Sequence, residues 1–236
     1  MPEHELATTS LGKSVDIYHP EGVTASAAPT VLLWHGSGPD ERDVMEPLAR
    51  AVAAQGVVVL VPDWRADAAD GGQAELLDSL AFARDHAADG RLVVAGWSAG
   101  APAALGVALR PETAGGRRPA AVVGIAAQYD RPARTTGTVL FDDLAAGRTA
   151  DVPVPVRLVH GTQDTLEDVA YSRKFRAALV EHGWAAELTE IPADHAGSIM
   201  TEYDPAARRC RESRDPAVRE AGAMTARVIA ETALGI

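Results

Sequence analysis

The run Leu92-Val93-Val94-Ala95-Gly96 is short, apolar and β-branched, and it leads without a break into Gly96-Trp97-Ser98-Ala99-Gly100, which opens a stretch of helical period, Ala99–Leu109. A G-x-S-x-G pentapeptide at a strand-to-helix junction is in the context that a nucleophile elbow requires. In such a turn the serine is held in a strained conformation, and glycines two before and two after it leave the room that side chains would fill. Ser98 is thereby presented at a strand tip beside a helix N-terminus, as the candidate nucleophile.

Outward from the elbow the same alternation repeats. Strands are predicted at Thr30–His35, Val57–Pro62, Leu92–Gly96, Ala121–Ala126, Val154–His160 and Ala186–Ile191, most of them apolar throughout, as strands covered on both faces are. Ser14–Tyr18 is predicted as an antiparallel edge strand. Helices are predicted at Glu41–Gln55, Ala74–Ala88, Ala99–Leu109, Val169–His182 and Val218–Leu234 from apolar residues at three- and four-residue spacing. Asp40 and Asp168 are candidate helix caps, and Gly56 and Gly183 are candidate left-handed helix ends. The fold class is α/β, with a mostly parallel central sheet and helices on both faces. No linker divides residues 1–236, so a single domain is expected. Gln128–Pro153 is the least regular segment and lies where a lid or substrate loop would be inserted.

Composition narrows the function. With 47% apolar and 23% charged residues the chain is ordinary for a globular protein, and its length suffices for a core without metal or disulfide. A net charge of -11, with only short basic clusters, argues against nucleic acid as a partner. The lone Cys210 has no internal partner, the opening residues MPEHELATTS lack the marks of a secretion signal, and no apolar run is long enough to span a bilayer. A cytoplasmic protein with no membrane partner is expected.

Three further motifs follow strands, at the carboxyl ends where open α/β sheets place their ligands. Thr30–His35 runs into His35-Gly36-Ser37-Gly38, a glycine-rich loop similar to the HGGG-type loop that supplies an oxyanion donor. The N–H of Ser37 is assigned as that donor, with Gly38 as a further one, and the N–H of Ala99, after the nucleophile, as the second. Val154–His160 delivers His160-Gly161-Thr162-Gln163-Asp164, making Asp164 the candidate acid; Asp130 is its main competitor, and Glu167 and Asp168 are weaker ones. Ile191-Pro192-Ala193-Asp194-His195-Ala196-Gly197 supplies the candidate base, His195, whose ordinary pKa lies near working pH.

The order Ser98, Asp164, His195, together with HGSG, GWSAG, HGTQD and DHAG over about residues 31–198, resembles the α/β-hydrolase superfamily, particularly its small serine esterases and dienelactone-hydrolase-like members. The resemblance implies an α/β-hydrolase fold without a large cap domain, and a carboxylic ester as substrate. Dienelactone hydrolases proper use a cysteine nucleophile where this chain has serine, so their substrate does not carry over. The oxyanion loop likewise has serine at the second glycine of the esterase motif.

The chemistry expected is acyl transfer: Ser98 attacks a carbonyl with His195 as base, the oxyanion rests on N–H groups, and water releases the acyl-enzyme. The alternatives are a thioesterase, an amidase such as an aryl formamidase, or a non-catalytic binding protein on the same scaffold. Trp34, Trp97 and Tyr129 are candidate pocket walls, as are Trp64, Arg131, Arg134 and Phe141. His35 is expected to fix the oxyanion loop and His160 to close a strand; His4, His19, His86 and His182 are read as surface residues. No pair has metal-ligand spacing, so no metal and no cofactor are expected.

Overall fold

Alternate residues of the central strands serve opposite faces. Leu32, Trp34 and Val94 join one buried cluster, while Val31, Leu33, Val93 and Ala95 join another. The structure, a computed structural model, describes residues 2–22, 28–87 and 90–236. Among the described residues eight strands form one sheet: β1 (Glu3–Thr8), β2 (Ser14–His19), β3 (Thr30–Trp34), β4 (Val58–Pro62), β5 (Leu92–Trp97), β6 (Ala121–Ile125), β7 (Val156–Gly161) and β8 (Ala186–Ile191). Their spatial order is β1-β2-β4-β3-β5-β6-β7-β8, with β3 to β8 mutually parallel and β1 and β2 antiparallel.

Among the described residues six α-helices cover this sheet: α1 (Glu46–Ala53), α2 (Gln73–His86), α3 (Gly100–Leu109), α4 (Leu140–Ala145), α5 (Val169–Glu181) and α6 (Pro216–Leu234). Leu48 and Val52 of α1 pack with Ala226 and Ile229 of α6 on one face. Leu76 and Leu80 of α2, most of α3, Leu140 of α4 and Phe175 of α5 fill the other. Each Leu, Val, Ile or Phe among them, fully buried, stabilises the fold by about 1.5–3 kcal/mol. No helix among the described residues is long and apolar enough to cross a membrane, and no separate cap domain stands among them.

Several boundaries depart from the sequence expectation. Ser14–Tyr18 is antiparallel as expected but is not the edge, because β1 pairs outside it. The helix expected over Glu41–Gln55 begins with a 3-10 turn at Arg42–Met45 and becomes α-helical only at Glu46, where Pro47 occupies the first turn, the place where its missing N–H is tolerated. Asp40 caps no helix: it has a φ of 54°, and its carboxylate takes Lys13 and Arg65 instead. Asp168 does cap α5, accepting the Ala170 N–H at 2.8 Å. Gly56 and Gly183 are both left-handed. The expected end of the second helix, Ala88, lies outside the described residues.

The irregular segment 128–153 is packed into the protein. It contains α4, and Tyr129, Ala133, Thr135, Leu140 and Asp143 within it are fully buried. After the loop bearing His195, a two-stranded hairpin of β9 (Thr201–Asp204) and β10 (Arg209–Glu212) precedes α6.

Candidate active site

Ser98 stands between β5 and α3 with a φ of 52°, in the left-handed region that a non-glycine residue rarely occupies. Its N–H donates to the Ile125 carbonyl at 2.9 Å, so the adjacent strand β6 pins the strained residue. The turn also presses against the neighbouring strand end: a Cβ on Gly100 would lie 2.5 Å from the His35 carbonyl oxygen. The sequence pattern and the backbone agree here for a steric reason.

His195 and Asp164 meet across 31 residues. His195 Nδ1 lies 2.7 Å from Asp164 Oδ2, while Oδ1 accepts the N–H groups of Leu166 and Glu167, both at 2.9 Å. Burial would raise the Asp164 pKa, but hydrogen bonds from His160 and His195 and from the Glu167 N–H outweigh it and hold the carboxyl well below the usual range. The acid is therefore ionised at neutral pH and fixes the Nδ1–H tautomer of His195, leaving Nε2 free to take a proton. The loop is braced by Asp194, whose carboxylate accepts the Gly197 N–H at 2.6 Å, and by the Trp97 indole N–H, which donates to the His195 carbonyl at 3.2 Å. The Trp97 and His195 rings lie 4.9 Å apart.

Two cavities meet at Ser98. One of about 590 Å³ is walled by Ala99, Gln128, Arg131, Arg134 and Glu167; the other, of about 660 Å³, by Gly38, Trp97, Leu166, His195 and Tyr203, and Ser37 lines both. Their sizes fall in the range of about 300–1,000 Å³ that small-molecule sites occupy. Ser98 and His195 line the second cavity together, with no hydrogen bond between them; such nucleophile–base contacts commonly tighten when substrate binds. Ser37 and Ala99 line the first cavity and Ser37 and Gly38 the second, each together with Ser98, and among the described residues their N–H groups donate to no backbone acceptor.

His35 anchors that donor loop. Its Nδ1–H donates to the Gly36 carbonyl at 2.9 Å and its Nε2 accepts the Trp64 N–H at 3.2 Å, with the Trp64 ring stacked 5.3 Å away. Burial pushes its pKa down to about 4, so the ring is neutral in this role.

Other expectations are corrected. Trp34 and Tyr129 reach neither cavity: both are fully buried, Trp34 donating its indole N–H to Ser79 Oγ at 2.9 Å and Tyr129 stacking on Phe175 at 4.2 Å. Large side chains at strand ends on a two-faced sheet point into a helix layer as readily as toward the rim. Trp64 is likewise buried, and Phe141 packs edge-on against Phe175. Asp130 is exposed, and the carboxylate that meets His195 is that of Asp164; Glu167 lines a cavity with its pKa raised by burial, and Asp168 is spent on its helix cap. Leu166 and Tyr203 were not foreseen. The alternating TEYD and RCRE segments around Asp204-Pro205 were the available signal for the hairpin that carries Tyr203.

No family model matches the chain, and no curated protein sequence matches it. Solved structures do. Esterase 2 of Thermogutta terrifontis phosphorylated by paraoxon superposes with a TM-score of 0.70 at 16% identity, covering 98% of this chain and 94% of that one. Its propionate-bound form gives 0.69 at 16% identity over 99% and 94%. EstE5 soaked with p-nitrophenyl butyrate gives 0.69 at 16% identity over 99% and 85%. With its strand order, these similarities give the chain the α/β-hydrolase fold.

Proposed function

We propose that the protein is a serine hydrolase that cleaves a small carboxylic ester through an acyl-enzyme intermediate, with Ser98, His195 and Asp164 as its triad. The observation that carries this reading is the 2.7 Å His195–Asp164 bond on the wall of a cavity that a left-handed Ser98 also lines. The structural neighbours support it: one is an esterase phosphorylated by paraoxon, another was soaked with a p-nitrophenyl ester.

In this mechanism His195 Nε2 takes the Ser98 hydroxyl proton as Oγ bonds to the ester carbonyl carbon. The carbonyl electron pair moves to oxygen, where the N–H groups of Ser37 and Ala99, with Gly38 beside them, receive it. His195 then returns the proton to the departing alkoxide, and Asp164 stabilises the intervening imidazolium. Water, deprotonated by the same imidazole, attacks the acyl-enzyme and frees Ser98. The cavity containing His195 takes the alcohol, because the leaving oxygen must lie within reach of Nε2; the cavity beside Ala99 takes the acyl group.

The test is intact-mass labelling with a fluorophosphonate on wild type and Ser98→Ala, alongside hydrolysis of p-nitrophenyl acetate, a matched thioester and a formamide. One adduct, absent from Ser98→Ala, with ester turnover fastest is the expected result. A folded protein that takes no label and hydrolyses none of the three overturns the reading.

A further inference from the structure

Beneath the acid lies a second histidine that this mechanism does not use. His160, at the end of β7, is fully buried, as is Ser172 on α5. His160 Nδ1 lies 2.7 Å from Ser172 Oγ; Nε2 lies 2.8 Å from the Glu167 carbonyl oxygen and 3.4 Å from Asp164 Oδ2. A carbonyl oxygen only accepts, so the His160 proton is on Nε2, and Nδ1 accepts the Ser172 hydroxyl. Both ring nitrogens are thus satisfied, as burial of an imidazole requires.

This arrangement does more than close a strand. The ring ties three elements together: β7 by the backbone, α5 through Ser172, and the loop between them through Glu167. That loop is the one whose Leu166 and Glu167 N–H groups hold Asp164 Oδ1. The His160 N–H also faces Oδ2, the oxygen that His195 Nδ1 contacts.

We propose that His160 is a positioning residue for the acid: its Nε2–H, held between the Glu167 carbonyl and the Asp164 carboxylate, orients Asp164 toward His195 and withdraws charge from the oxygen they share. The proposal rests on the triad reading above. His160 acts through Asp164 and contacts no substrate. Its consequence is electrostatic as well as geometric. A carboxylate relieved of one donor holds the His195 imidazolium more tightly, so His195 stays protonated to higher pH and is the free base over a narrower range.

His160 from β7, His195 from the loop after β8 and Glu167 from the loop into α5 surround Asp164; Arg131 from the loop after β6 faces Glu167, the Glu190 carboxylate on β8, paired with Arg173, faces His160, and the Tyr129 hydroxyl faces Ser172. Because the Glu167 carboxyl also faces His195, Glu167→Gln serves as the control for its titration.

The experiment is the pH profile of kcat/KM for p-nitrophenyl acetate, with fluorophosphonate labelling rates and thermal melts, on wild type, His160→Leu, His160→Gln, Ser172→Ala and Glu167→Gln. Removing the Nε2–H that faces the Asp164 carboxylate lowers kcat/KM about tenfold in His160→Leu. The acid limb of its profile moves to higher pH. His160→Gln, which keeps an amide N–H near the Nε2 position, returns the limb toward the wild-type position, and Glu167→Gln does not reproduce the shift. If His160→Leu does not fold, Ser172→Ala, which frees the ring from α5, shows the same direction of shift with a smaller loss. A folded His160→Leu or Ser172→Ala with a wild-type profile overturns the proposal, as does a loss with an unmoved limb that glutamine does not rescue. A wild type that neither takes the label nor turns over ester overturns the triad reading and this proposal together; a normal wild type with indifferent variants overturns this proposal alone.

Discussion

A methyl group placed on Gly96 would lie 2.1 Å from the carbonyl oxygen of Gly100. Gly96 is therefore required by the backbone of residue 100, as Gly100 is by the His35 and Trp34 carbonyls, and neither contact can be relieved by a rotamer change. Gly96→Ala is expected to cost at least about 2 kcal/mol, lowering Tm by roughly 4 °C or more, and to lose ester turnover beyond that stability loss, because the displaced turn carries Ser98. Thermal melts paired with rates well below the new Tm check both parts.

Asp164→Asn keeps the shape but reverses the tautomer that His195 must hold. Turnover is expected to fall by about 10⁴-fold with the fold intact, while Asp130→Asn, at an exposed position, retains wild-type rates. The reverse pattern in steady-state kinetics would move the acid to the loop after β6.

His35 makes stability depend on pH. Its pKa is about 4 in the folded chain against an ordinary 6.5, so between those values the unfolded chain binds a proton that the folded one refuses. Stability is unaffected by this group above about pH 6.5 and falls as pH drops toward 4, by roughly 3 kcal/mol over the window. Urea midpoints measured across that window should slope downward for wild type. His35→Asn, less stable at neutral pH, should show a flatter dependence.

Leu166 and Tyr203 are 72% and 58% exposed and flank His195 in the cavity assigned to the alcohol. Apolar surface left open beside a reacting group marks a binding wall. For acetate esters of alcohols with similar basicity, 2-phenylethyl acetate is expected to exceed ethyl acetate in kcat/KM by about tenfold through burial of the ring. Leu166→Ala with Tyr203→Ala should bring the ratio close to one while leaving ethyl acetate hydrolysis nearly unchanged.

Trp34 is a core residue, so Trp34→Phe is expected to leave substrate preference intact. Losing the indole hydrogen bond to Ser79 costs about 1–2 kcal/mol, visible as a shifted urea midpoint with unchanged ester selectivity.

What the sequence determined by itself was whatever rests on local rules. Strands β3 to β6 were legible because burial on both faces demands unbroken apolar runs, as in Val93 to Ala95, while β8, at the sheet edge, keeps a half-exposed alternation. Ser98 was legible because its strain demands glycine at 96 and 100. His195 and Asp164 were legible as candidates because chemistry in this architecture gathers on the loops at the carboxyl ends of strands. Tertiary structure decided everything that depends on direction. The rim position of a side chain does not say whether it points to the cavity or to a helix layer, which is why Trp97 lines the site while Trp34 and Tyr129 lie in the core. Nor does chain order say that His160 turns its proton toward Asp164, since that depends on where α5 sets Ser172 and where the intervening loop leaves the Glu167 carbonyl. Periodicity records which face a residue shares with its neighbours along the chain; contacts between distant segments exist only once the sheet has been assembled.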